Sequence, residues 1–137
     1  MKLENQVCSL KLAKKLKKLG VKQESAFVWQ DSLSYGWEFR AFVDRNIQMG
    51  KGFVSAFTVA ELGEMLPDRV RRKGDKVYPY NFVKWPMPDP MHGWKSYIWK
   101  PEGFSIPESN MLAKTEANCR AIMLIYLIEN KLISLND

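Results

Sequence analysis

The chain has 137 residues, 46% of them hydrophobic, which is the size and composition of one globular domain able to bury a core without disulfides or metals. Its longest apolar run, Ala121 to Ile128, is too short to span a bilayer, and the opening MKLENQVCSLKLAKK breaks every apolar run with a polar residue, unlike a signal peptide. Lys and Arg exceed Asp and Glu by 21 to 15, a formal charge of +6 that favours an anionic partner without requiring one.

The first predicted element is a helix in SLKLAKKLKKLG. Leu12, Ala13, Leu16 and Leu19 fall at helical spacing, Lys11, Lys14, Lys15 and Lys18 lie on the opposite side, and Gly20 stands where a C-cap belongs. Next, AFVWQ and GWEFRAFV flank the turn-like DSLSYG. Trp37, Phe39, Ala41 and Val43 alternate with polar positions, as in a hairpin with one buried face. After the loop DRNIQMGKG comes a short strand, FVSAF, and then a second helix in TVAELGEMLP. There Thr58 and Glu61 form a capping-box pair, and Pro67 stops the helix.

Val77 to Gly103 carries three tryptophans, three tyrosines and five prolines. Val77 to Lys84 and Trp94 to Lys100 are predicted strands, with Pro79 pushing the first toward a sheet edge. Pro86, Pro88 and Pro90 make the segment between them a stiff loop. A final helix follows, with Thr115 as its cap, Glu116 in its first turn and Lys131 near its end. It is apolar all round from Ala121 to Ile128 and therefore covered on several sides. The expected fold is α+β: one domain over residues 1–137, an antiparallel sheet of about four to six strands, a buried C-terminal helix and two shorter helices.

Three strings carry a resemblance: MKLENQVCSLKLAKKLKKLGVKQES, SAFTVAELGEMLP and TEANCRAIMLIYLIENKLI. Together they resemble a family of small proteins of phages and integrated prophages. The resemblance implies a phage origin and the cytoplasm of a host cell as the place of action. It transfers no catalytic or ligand-binding residue. Small soluble phage proteins of this kind are often non-enzymatic binders of a host protein, a nucleic acid or a nucleotide defence signal.

Little in the chain suggests catalysis. The single histidine, His92, sits in PDPMHGW with no partner motif, and GKG at Gly50 to Gly52 lacks the rest of a phosphate-binding loop. Glu61 and Glu64 read as a solvated helix face complementing the dipole. Cys8 and Cys119 have no ligand spacing and are expected to be buried, unbridged thiols. No cofactor, metal or catalytic residue is expected.

Two surfaces qualify for binding. On the proline loop and just after it, Trp85, Met87, Met91 and Trp94 supply the apolar anchors typical of protein interfaces, pointing to a host protein or to self-association. Arg69, Arg71, Arg72 and Lys73, with Tyr78 and Tyr80 close by in sequence, combine phosphate contacts with rings able to stack on bases, pointing to a nucleotide or nucleic acid. The lysine face of the first helix is a weaker anion site, because any surface helix needs a polar side. The expected function is that of a small non-enzymatic phage-derived binding protein that inhibits or sequesters a host defence factor. A nucleotide or nucleic-acid binder is the alternative, followed by a structural or assembly role.

Overall fold

A computed structural model of the chain describes residues 2–32, 36–41, 52–67, 69–70, 80–83, 94–95, 97–98 and 112–135, with 69–70, 80–83, 94–95, 97–98 and 112 described as backbone alone. A 3-10 turn, Leu3–Gln6, leads into helix α1, Leu10–Lys18. Ser9 caps α1 by accepting the Leu12 N–H. Ala13 and Leu16 are buried, and Leu12 and Leu19 pack against the core from its border. Gly20 ends the helix at φ +95, where the Gly20 N–H reaches the Lys17 carbonyl and the Val21 N–H the Leu16 carbonyl. A side chain at that left-handed position would meet its own backbone, so glycine belongs there.

Strands β1 (Phe27–Ser32), β2 (Gly36–Ala41) and β3 (Phe53–Ser55) form an antiparallel sheet in the order β2-β1-β3. Register places Trp29 opposite Phe39 and Val54, so these side chains share one face with Phe27 and Trp37. On that face Phe27 stacks on Phe39 with ring centroids 5.4 Å apart, and Trp29 meets Phe39 edge-on at 5.6 Å. The other face carries Val28, Phe53 and Ser55, all buried. The face expected to be buried is therefore only partly so, with Trp37 and Phe39 half-buried and Ala41 exposed, while the opposite face carries buried residues as well.

Helix α2 spans Val59–Met65 and has the expected capping box, and Leu66 and Pro67 close it. Helix α3 spans Glu116–Glu129, capped by Thr115, which accepts the Asn118 N–H. Seven of its residues are buried, spread around its circumference, so it is enclosed as its sequence predicts. It packs against α1 and α2, while α1 also lies on β3. Leu16, Leu62, Met123, Leu124 and Leu127 are the largest apolar side chains of this three-helix contact. Full burial stabilises each by about 1.5–3 kcal/mol.

The remaining strands are short: β4 (Arg69–Val70), β5 (Tyr80–Val83), β6 (Trp94–Lys95), β7 (Tyr97–Ile98) and β8 (Leu112–Ala113). They form two further ladders, β4-β5-β7 and β6-β8, and the second lies beside α3. The fold is α+β, but its main sheet is smaller than expected. Trp94 to Lys100, read as one strand, serves two ladders: Trp94 and Lys95 pair with Ala113 and Leu112, whereas Tyr97 and Ile98 pair with Val83 and Phe82. Alternation reveals that a segment is extended and says nothing about which neighbour it joins.

Candidate functional site

Trp85, Met87, Met91, Arg71, Arg72, Lys73 and Tyr78, together with His92, lie outside the described residues. Three nominated residues fall on described backbone. Arg69 pairs with Asn81 in the β4-β5 ladder, Tyr80 pairs with Val70 there, and Trp94 pairs with Ala113 in the β6-β8 ladder. The chain between Val83 and Trp94, which holds the three alternate prolines, thus leaves from one ladder and enters another. The basic run that begins at Arg69 likewise starts in the ladder that contains Tyr80.

The lysine face of α1 is largely committed within the protein. Lys14 Nζ lies 4.5 Å from the centre of the Trp37 ring, and Lys15 Nζ is 3.0 Å from Glu129 Oε1. Lys17, which the helical pattern did not single out, donates to the Phe53 carbonyl at 2.8 Å and lies 4.9 Å from the Phe53 ring. Among the described residues, Lys11 and Lys18 are the lysines of this helix left without a protein partner. An extended cationic patch would need more than these two.

Glu61 also departs from expectation. It is half-buried rather than solvated. Its Oε1 accepts the Thr58 N–H at 2.9 Å and the Ser25 hydroxyl at 2.8 Å, and its Oε2 accepts the Ala26 N–H at 3.3 Å. The carboxylate caps α2 and at the same time holds the strand entering β1. Glu64, one turn along, remains exposed as predicted.

Both cysteines are buried. Removal from water pushes the Cys8 thiol up to about 12, a shift only partly opposed by its hydrogen bond with the Phe57 backbone. A thiol held protonated is not an activated nucleophile. The Cys8 backbone serves the architecture instead, because its N–H donates to the Phe57 carbonyl at 2.9 Å and its carbonyl accepts the Trp29 indole N–H at 3.0 Å. The Ser9 N–H next to it donates to Asn118 Oδ1 at 2.7 Å, bringing the first turns of α1 and α3 together. A hollow of about 210 Å³ lies between them, and Glu4 in its lining sets a negative charge near the positive ends of both helices.

A larger groove of about 500 Å³ runs between the end of α1, helix α2 and the segment after α3. Its apolar wall includes Phe57, Leu124, Met65 and Ile133, together with Leu135, which is 41% exposed. Glu24 and Glu64 line it as exposed carboxylates, and Lys22 pairs with Glu24 at 3.5 Å. Such a groove suits an apolar side chain. It was not legible from spacing, because its walls come from four separate segments; the only local hint was the alternation of Ile133 and Leu135 beyond the helix. Among the described residues no group of three or more His, Cys, Asp or Glu side chains is placed to hold a metal ion. No helix among them is long and apolar enough to cross a membrane.

Comparison of the chain with models of protein families, with curated proteins and with solved structures finds no match.

Proposed function

We propose that the protein is a small non-catalytic binding protein of phage origin, acting in the host cytoplasm on a host defence factor. Its binding surface is the proline segment with Trp85, Met87 and Met91, together with Trp94 just beyond it. The observation that carries this reading is the anchoring of that segment: β5 pairs with β7 at one end, and β6 pairs with β8 beside α3 at the other. Three prolines in a segment whose flanking strands are both paired limit the freedom to be lost on docking, so apolar anchors there would convert more fully into affinity. The burial that raises the Cys8 thiol supports reading that residue as structural. The phage resemblance of the three strings directs the proposal to a host factor, and no cofactor enters it.

The test is Trp85→Ala. Capture of the host target should weaken more than tenfold, about 1.4 kcal/mol, with the melting temperature held. A drop in melting temperature with association intact would make this segment a lid over the core and sink the reading.

A second reading, binding of a nucleotide or nucleic acid, rests on the basic run itself; the β4-β5 register pairs Arg69 with Asn81 and Tyr80 with Val70, positions on opposite faces of the ladder, so it does not add Tyr80 to the Arg69 side. Replacing Arg69, Arg71, Arg72 and Lys73 together with Ser should then abolish binding of an anionic ligand, and wild-type binding should fall steeply with salt. Salt-independent binding would remove this reading. A structural or assembly role stands third and predicts neither effect.

A further inference from the structure

The backbone hydrogen bonds of β1 show which way its neighbour β2 turns its own. The Phe27 carbonyl accepts from the Ala56 N–H at 2.8 Å, and the Asp31 N–H donates to the Gly52 carbonyl at 2.7 Å, so the odd-numbered residues of β1 address β3. Its even-numbered residues, Val28, Gln30 and Ser32, therefore bond to their partners Arg40, Glu38 and Gly36 in β2. That leaves the N–H and C=O groups of Trp37, Phe39 and Ala41 directed away from β1. Among the described residues no strand pairs with this outer edge. Unpaired groups of this kind are a template for another strand.

We propose that β2 pairs antiparallel with β2 of a second copy of this chain, about a two-fold axis at Phe39. Symmetry and charge select that register. The outward groups belong to odd-numbered residues, so odd must face odd, and a two-fold axis must then pass through a residue. An axis at Glu38 sets Glu38 against Glu38, and one at Arg40 sets Arg40 against Arg40. An axis at Trp37 sets Glu38 against Gly36 and leaves Arg40 beyond the overlap of the two strands. Only the axis at Phe39 sets Glu38 of each copy opposite Arg40 of the other, with Trp37 opposite Ala41 and the two Phe39 residues facing each other.

In the single chain Arg40 Nη2 instead lies 2.7 Å from Glu38 Oε2, two residues away on the same face, with side chains 50% and 36% exposed. Pairing exchanges two such exposed contacts, one within each strand, for two between the strands. It also joins the two three-stranded sheets into one and extends the aromatic face formed by Phe27, Trp29 and Phe39 across the axis. The inference uses no residue of the proline segment and is independent of the binding reading above.

Sedimentation equilibrium over a concentration series tests it, with folding followed by circular dichroism. Wild type should show a monomer–dimer equilibrium. Glu38→Arg and Arg40→Glu should each weaken it by roughly tenfold or more, because each sets like charges opposite one another at two places. Mixing the two variants in equal amounts should restore a dimer made of one of each. In that pair alone the arginine introduced in one variant faces the glutamate introduced in the other, and the retained Arg40 faces the retained Glu38. This last arm does not depend on small losses of stability in either variant. A wild type that stays monomeric at its highest soluble concentration would overturn the pairing. Single variants that dimerise like wild type, or a mixture that stays monomeric, would overturn the register and with it the proposal.

Discussion

Removing the Glu61 carboxylate tests whether a helix cap also fastens the sheet. Glu61→Ala deletes the acceptor of three hydrogen bonds, and the cost depends on where each donor goes. The Ala26 N–H is at an exposed residue and returns to water at little cost. The Thr58 N–H loses its half of the capping box, worth about 1 kcal/mol. Ser25 is only 6% exposed, but its hydroxyl has a second acceptor, the Ala56 carbonyl at 3.0 Å. It is therefore not stranded, and only the difference between a hydrogen bond to a charged acceptor and one to a neutral carbonyl is lost, about 1 kcal/mol.

The expected total is about 2 kcal/mol, well below the roughly 4–6 kcal/mol of three orphaned donors. Urea denaturation followed by circular dichroism measures it, with the slope unchanged. A loss under about 0.5 or over about 4 kcal/mol would refute this reasoning. The hydroxyl carries one proton for two acceptors, so a cycle with Ser25→Ala asks which of them it serves. Coupling of about 1 kcal/mol is expected, because the carboxylate contact is shorter and charge-assisted. Coupling near zero would assign the proton to Ala56.

Three further outcomes follow from particular groups. Because burial raises the Cys8 thiol from 9.0 to about 12, the folded protein keeps a proton that the unfolded chain releases, so the contribution of Cys8 to stability is complete below about pH 9 and declines as pH rises toward 12. Native protein at about pH 8 should resist alkylation at Cys8 until unfolded, and rapid labelling of the folded state would contradict this. Lys131 holds φ +56 just past α3, where its N–H bonds to the Ile128 carbonyl; Lys131→Gly should raise stability by about 0.5–1 kcal/mol, and a lowered melting temperature would count against it. Leu124→Asp places a charge where 1% of the residue is exposed, should cost several kcal/mol (roughly 3–5) and should prevent folding; a variant melting within a degree or so of wild type would refute the central position of α3.

The helix boundaries were legible in the sequence because their causes are local. Thr58 and Thr115 cap helices because a hydroxyl just before an apolar period serves the free N–H groups of the next turn, and Gly20 closes α1 because only glycine is at ease at its φ, whereas the Ser9 cap of α1 was not read from the sequence. The enclosure of α3 was legible for a similar reason: apolar residues on every side of a helix leave it no face for water. The partners of each element were decided only by the tertiary structure. Lys14 and Lys15 look like part of a solvated stripe in sequence, yet their long stems carry the charges to Trp37 and Glu129, and Lys17, outside that stripe, reaches the Phe53 carbonyl. Glu61 looks like half of a capping box, and only the approach of Ser25, far away in the chain, makes it a tertiary tie. The split of Trp94 to Ile98 between two ladders follows the same logic, because an extended backbone offers hydrogen-bonding groups on both edges and the alternation of its side chains is the same whichever neighbour arrives. Periods and caps act within a few residues of chain. Pairing depends on which distant segments the packing of α1, α2 and α3 brings within reach.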